Sequence, residues 1–303
     1  MYFVAAFGSK IIAMHPRNGL HDDKDFVPVF DVGTRTFSFC PRPEIDRGGR
    51  PLYISIGDDK LFAMCGALQV LDQPPPDDIV GQWCDQSWST LPYPPFDSVF
   101  FTSYATHPDG RSFFVSVGNL TAPANYSFHV DVGKRMGWRA VHGWVLPFNG
   151  QAHFGPKLDA SVGLSRYPDA VGHVCACNLA SASSSTASDG KFPGRKVSKE
   201  KLFSEDPAER HVGATLVYMG GESEFCLVQC IWTEYKHVAQ RIHKREGTGS
   251  LQSWCYLFRL TTFSLKYDEN GDLTTGTSRR VRYYRVPDGT TQFMLKFPVA
   301  FWM

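Results

Sequence analysis

The feature that most constrains this chain is the stretch Phe30-Asp31-Val32-Gly33-Thr34-Arg35-Thr36-Phe37-Ser38-Phe39, because its core returns about 100 residues later as Asp131-Val132-Gly133-Lys134-Arg135. In each copy an apolar stretch runs into Asp-x-Gly and an aromatic-rich stretch leaves it. The carboxylate is suited to accept main-chain amides and the glycine to take positive φ, which is hairpin chemistry. A hairpin that recurs after about two units of roughly 50 residues fits a ring of four-stranded blades.

A second signal has compatible spacing. Trp88-x-x-Leu91-Pro92-x-Pro94-Pro95-Phe96 and Trp144-x-Leu146-Pro147-Phe148 each end a unit with an indole and then place a proline, which cannot donate to a sheet ladder. Between these closures the chain reads as short strands and turns. The turn His107-Pro108-Asp109-Gly110-Arg111 has Pro to fix φ, Asp to bond back to the main chain, and Gly for the left-handed conformation. The apolar runs 212–219 and 225–232 flank Gly220-Gly221 as the clearest hairpin of the second half. No helix of any length is required. The apolar runs 2–7 and 293–302 are expected to be strands that meet and close the ring.

Two stretches depart from this pattern. Residues 180–200 contain the run Ser181-Ala182-Ser183-Ser184-Ser185-Thr186, too small and polar to bury surface against the entropy of ordering it, and are expected to be a disordered loop. Residues 233–250, with His237, Arg241 and His243, read as a polar excursion from one blade. The remainder is expected to form a single domain over 1–303.

Bulk composition narrows the partners. A hydrophobic share of 43% with 14% aromatic is ample for a core, and 31 Lys and Arg against 30 Asp and Glu give no general field to attract nucleic acid or an anionic membrane. The expected partner is a protein. The opening Met1-Tyr2-Phe3-Val4-Ala5-Ala6-Phe7-Gly8 has neither a basic lead nor a long apolar stretch, so the eight cysteines are read as reduced thiols and the location as cytoplasmic or nuclear. The glycosylation patterns at Asn119 and Asn125 are accordingly read as chance. No run approaches the roughly eighteen apolar residues of a membrane span.

The chemistry-bearing residues favour structural readings. Cys175-x-Cys177 and Cys226-x-x-x-Cys230 offer thiols; the second fits the Cys-x₂₋₄-Cys spacing of zinc pairs and the first does not, and on a strand each pair falls on one face as an apolar stripe. Asp268-x-Asn270-x-Asp272 lacks the glycine and glutamate positions of a calcium loop and reads as a hairpin turn. His129, His142 and His153 share a region with Asp131, yet no constellation fixes their geometry for acid-base work. Neither catalytic residues nor a metal or cofactor are expected. The candidate binding residues are turn and loop aromatics and the polar excursion: Trp83, Tyr93, Tyr167, His237, Arg241 and His243.

The Asp-Val-x-Thr-Arg-Thr turn, the His-Pro-Asp-Gly-Arg turn and the Trp-x-x-Leu-Pro-x-Pro-Pro-Phe closure together resemble a large family of uncharacterised grass proteins of the kelch-like β-propeller kind. The similarity covers nearly the whole chain, above all residues 1–180. It implies an all-β propeller of five or six four-stranded blades and, by analogy with kelch proteins that accompany F-box segments, a binding role in protein turnover. The kelch Gly-Gly occurs at a plausible repeat position only at Gly220-Gly221, no F-box-like helical segment leads the chain, and no catalytic residues come with the resemblance. The expected function is a non-enzymatic protein-interaction scaffold of the substrate-recognition or adaptor type. The alternative is an enzyme or small-ligand binder using the central channel.

Overall fold

Short strands joined by tight turns build nearly all of the protein, as a computed structural model shows for residues 2–14, 26–44, 51–73, 87–97, 100–118, 124–130, 137–141, 144–179, 194–234, 254–287 and 289–302. The chain divides into two units, 1–146 and 147–302.

The first unit is a series of antiparallel meanders. β1 (Tyr2–Ala6), β2 (Lys10–Met14), β3 (Phe26–Asp31) and β4 (Thr36–Pro41) pair in chain order. β5 (Leu52–Ile56), β6 (Lys60–Cys65), β7 (Ala67–Asp72) and β8 (Ser89–Leu91) repeat the arrangement. β9 (Phe101–Thr106), β10 (Ser112–Val117), β11 (Ala124–His129) and β12 (Gly137–Val141) form the next run.

Burial alternates along β2, β3, β5 and β9, which put one face into a core, whereas β6 and β10 are buried on both faces. Phe62, Phe113 and Phe128 pack within 5.4 to 6.0 Å of one another, and Val4, Ile12, Met14, Val27, Val29 and Leu61 fill a neighbouring cluster. The tryptophans act as expected at the ends of units: Trp88 Nε1 donates to the Pro41 carbonyl at 2.8 Å and packs against that cluster. Trp144 is half-buried, with its ring 6.2 Å from that of Phe114.

The organising turn forms with one difference. Asp31 Oδ1 accepts from Gly33 N at 2.9 Å, Thr34 N at 3.1 Å and Ser9 Oγ at 3.0 Å, while Lys10 Nζ lies 3.3 Å from the other oxygen. The left-handed residue is Arg35, at φ 58°, rather than Gly33. The carboxylate caps two successive amides and pushes the reversal to the residue before β4. Gly33 is constrained for another reason, since a Cβ there would stand 3.3 Å from Asp31 Oδ1. The second copy, 131–136, lies outside the described residues. The His107 to Arg111 turn is as expected: Asp109 Oδ1 accepts from Arg111 N at 2.8 Å and Gly110 takes φ 64°.

The second unit begins with β13 (Phe148–Gly155), β14 (Ala160–Ser165), β15 (Val174–Cys177) and β16 (Arg195–Val197), paired in that order. β16 corrects the disordered loop expected over 180–200. Residues 195–197 pair with Cys175, Ala176 and Cys177, and Lys196 Nζ donates to the Gly271 carbonyl at 2.6 Å. A basic tripeptide has little local strand signal, and its order comes from a partner ladder. Residues 180–193 lie outside the described set.

β17 (Arg210–Tyr218), β18 (Glu224–Glu234), β19 (Trp254–Ser264) and β22 (Arg280–Arg285) make the longest sheet, with the expected hairpin at Gly220 and Gly221, both at positive φ. Its central strand β18 is buried from Phe225 to Ile231, which explains an apolar run without alternation. β20 (Lys266–Tyr267) and β21 (Leu273–Thr274) form a small hairpin between β19 and β22.

The final strand expected over 293–302 is absent. Gln292–Lys296 is a short helix, α1, capped by Thr291, whose Oγ1 accepts from Met294 N at 3.3 Å. The cap and a run of good helix formers win locally, and only Leu295 of this segment is well buried. With α1 there, residues 293–302 supply no strand to pair with β1. Each sheet is open among the described residues. No helix there is long and apolar enough to cross a membrane.

Candidate functional site: a basic and aromatic sheet face

Cross-strand register in the sheet of β17, β18, β19 and β22 places a specific set of side chains on each face. Gln229 stands opposite Arg259, and Arg259 opposite Tyr283, so the three share a face. On that face Arg259, 5% exposed, is fully engaged. Its Nη1 donates to the Leu202 carbonyl at 2.8 Å, Thr261 Oγ1 at 3.1 Å and Gln229 Oε1 at 3.3 Å, and its Nε donates to the Tyr283 hydroxyl at 3.3 Å.

Gln229 Oε1 also accepts from Ser204 N at 3.1 Å, and the Tyr283 hydroxyl lies 3.5 Å from Glu209 Oε2. Arg279 Nη1 reaches the Lys201 carbonyl at 3.0 Å. The arginines thus clamp the segment 201–209 over the sheet, spending donors on the Lys201 and Leu202 carbonyls and, for Arg259, on neighbouring side chains as well. A buried charge is tolerable only when hydrogen-bonded in this way. The cluster reads as a structural staple that fixes β22.

The opposite face is covered in part, by α1 beside Gly213 and by Ala300 against Val217, Cys226 and Val228, and is exposed along β22. Arg210, Trp232 and Tyr256 are aligned across β17, β18 and β19, with the Arg210 guanidinium 5.2 Å above the Trp232 ring. Tyr284 stands opposite Phe258, and Arg282 and Arg280 follow it at alternate positions along β22. Tyr256, Arg280, Arg282 and Tyr284 are all exposed. Among the described residues no ion pair engages Arg280 or Arg282. Among the described residues β22 is also the last strand of its sheet, with β19 as its one ladder partner. The first unit displays a simpler surface: on the edge strand β4, Phe37 is 73% and Phe39 is 58% exposed.

The residues singled out from sequence fare differently. Tyr93, in the first unit, is 72% exposed. Tyr167, in the second, has its ring face taken by Arg195, whose guanidinium carbon lies 3.5 Å from the centroid. Trp83, His237, Arg241 and His243 lie outside the described residues, as does His142. Arg210, Trp232, Tyr256, Arg280, Arg282 and Tyr284 were not legible as a group, because their alignment depends on strand register. The sequence signal that does exist is the alternation Arg280-Val281-Arg282-Tyr283-Tyr284-Arg285.

Cys175, Cys177, Cys226 and Cys230 are buried free thiols. Burial pushes Cys175 and Cys177 up to about 12 and Cys230 to about 11, the reverse of the thiolate character that metal binding needs. Asp268 is a turn residue: Oδ1 accepts from Asn270 N and Asp272 N, and Oδ2 pairs with Lys199. His153 Nε2 bonds the Leu216 carbonyl at 2.9 Å, and burial lowers its pKa, so a neutral ring serves a structural bond. Asn125 is buried with its Oδ1 accepting from Ser116 Oγ at 3.1 Å, and so offers no glycosylation site in the folded protein. Among the described residues no three His, Cys, Asp or Glu side chains converge as metal ligands.

Several solved structures are similar. Hydrazine synthase from Kuenenia stuttgartiensis matches at a TM-score of 0.44 and 12% identity, over 94% of this chain and 66% of that one. TolB from Acinetobacter baumannii matches at 0.44 and 10%, over 93% of this chain and 54% of that one. A protein from Lactobacillus plantarum matches at 0.46 and 9%, over 94% and 87%. The chain thus spans just under two thirds of the hydrazine synthase chain and about half of TolB. No curated protein is a significant match. A family of proteins of unknown function, DUF1668, matches residues 1–284, and the chain belongs to it.

Proposed function

We propose that the protein is a non-enzymatic interaction scaffold built on a kelch-like propeller, whose blades are its successive four-stranded meanders. The observation that carries this reading is the display of exposed aromatic side chains on rigid edge strands: Phe37 and Phe39 on β4, and Tyr284 on β22. Exposed aromatics fixed by a sheet lose little conformational freedom on binding, which makes them strong contact residues. The buried ionisable groups support the same reading, since Arg259 and His153 have their donors committed to main-chain carbonyls or neighbouring side chains. An adaptor or substrate-recognition role, as in kelch proteins that accompany F-box segments, is the specific form of the proposal.

The test is affinity purification of the intact protein, with mass spectrometry of what it retains. Parallel preparations carry a deletion of residues 234–249 or the pair Phe37→Ser and Phe39→Ser. A stable partner, such as a ubiquitin-ligase component, retained by the intact chain and lost by one variant is expected. A preparation that retains no protein, while metal analysis or ligand screening gives a stoichiometric small partner, would overturn the reading.

A further inference from the structure

Resting on the scaffold reading, we infer that the β22 edge docks an extended peptide bearing acidic side chains at alternate positions, which adds to the sheet as a strand beyond β22. The backbone argument comes first. A terminal strand leaves every second N–H and C=O without a ladder partner, and an added strand is the ligand that satisfies them. The charge argument sets the side chains. Arg280 and Arg282 are two residues apart on one face, exposed, and opposite Thr262 and Leu260, neither of which is acidic. Residues of a guest strand opposite them would have Cβ atoms about 4.5–5.5 Å away, the right spacing for Asp or Glu. Tyr284, next on the same face and 46% exposed, provides an apolar contact at the following alternate position.

An edge can also carry charge simply to prevent aggregation. β22 does not fit that purpose well, because it exposes Val281 and Tyr284 between its arginines. The edge is also pre-formed: Tyr283 points to the other face, where its hydroxyl accepts from Arg259 and lies near Glu209, so β22 is held before any guest arrives. A single-stranded nucleic acid would meet the same basic and aromatic face by stacking. The unpaired backbone ladder and a chain of net charge +1 favour the peptide.

The test is fluorescence anisotropy on the intact protein with short labelled peptides. One has glutamates at alternate positions followed by an aromatic residue, in both chain directions. Others have lysines in place of glutamates, or main-chain N-methylation at odd or at even positions. A single-stranded oligonucleotide is the further probe. The acidic peptide should bind, the lysine peptide should not, and N-methylation of one parity alone should abolish binding. Arg280→Glu with Arg282→Glu should weaken binding by at least about tenfold, with an unchanged melting temperature because both side chains are exposed.

Absence of binding by the acidic peptide, indifference to N-methylation parity, or tighter binding of the oligonucleotide would each overturn the inference. The purification experiment separates the two levels. Partners retained equally by wild type and the double arginine variant, with no peptide binding, sink the docking edge alone. If neither protein retains a partner, the scaffold reading falls.

Discussion

Gly213→Ala is the sharpest probe of how the C-terminal segment is held. Gly213 sits at the register shift in β17, and an alanine Cβ there would stand 2.1 Å from the Lys296 carbonyl oxygen, 2.5 Å from its carbon and 2.7 Å from the Leu295 oxygen. These are main-chain atoms of α1 and its end, so no side-chain rotation relieves the overlap. Relief needs α1 to move away by more than about 1 Å, the gap to an ordinary carbon–oxygen contact.

The least costly escape is undocking of the helix, which exposes Leu295, now 4% exposed. Removing a leucine from a core costs about 1.5–3 kcal/mol, so the substitution should destabilise by about 2–3 kcal/mol. Urea denaturation of the full chain measures this. In a chain lacking residues 291–303 the same substitution should be neutral, or stabilising by about 0.5 kcal/mol, because it then only stiffens the unfolded chain. A cost below about 0.5 kcal/mol in the full chain, or equal costs in the two backgrounds, would refute the reasoning.

Three further outcomes follow from the same geometry. Arg259→Met should cost about 3–5 kcal/mol, since it strands the Leu202 carbonyl and Gln229 that the guanidinium satisfies, and it should loosen 201–209 in hydrogen exchange. Trp138→Ala should cost about 2–3 kcal/mol by denaturant melts, and more than Trp144→Ala, because both indoles are half-buried but Trp138 packs on Phe96, Phe113 and Phe128 and Trp144 beside Phe114. For His153, burial lowers the folded-state pKa, so the unfolded chain binds the extra proton. Its contribution is fully present above the ordinary histidine value of about 6.5 and is lost as pH falls from there through the folded value. His153→Gln should flatten that part of the stability curve in pH-dependent melts.

The local elements were largely legible. The strands around Gly220-Gly221, the Asp109 turn and the closing Trp88 all appear where the sequence places them, because turn chemistry and period-two alternation act between residues close in the chain. The positive φ expected at Gly33 falls instead on Arg35. The misses have two causes. β16 is basic and brief and exists because β15 offers it a ladder, a non-local effect, whereas the segment after Thr291 is helical because a local cap outweighs its apolar composition.

The basic and aromatic surface of the second unit was the least legible. Arg210, Trp232, Tyr256 and Arg282 are spread over four strands, and nothing in their spacing along the chain relates them. By itself the sequence determined that the chain would form short antiparallel strands with tryptophan closures, since each such signal needs only its neighbours. The tertiary structure alone decided which side chains share a face, because register is set by which strands pair and by where bulges such as that before Gly213 shift them. That register turns Tyr283 inward to Arg259 and leaves Arg280, Arg282 and Tyr284 facing out.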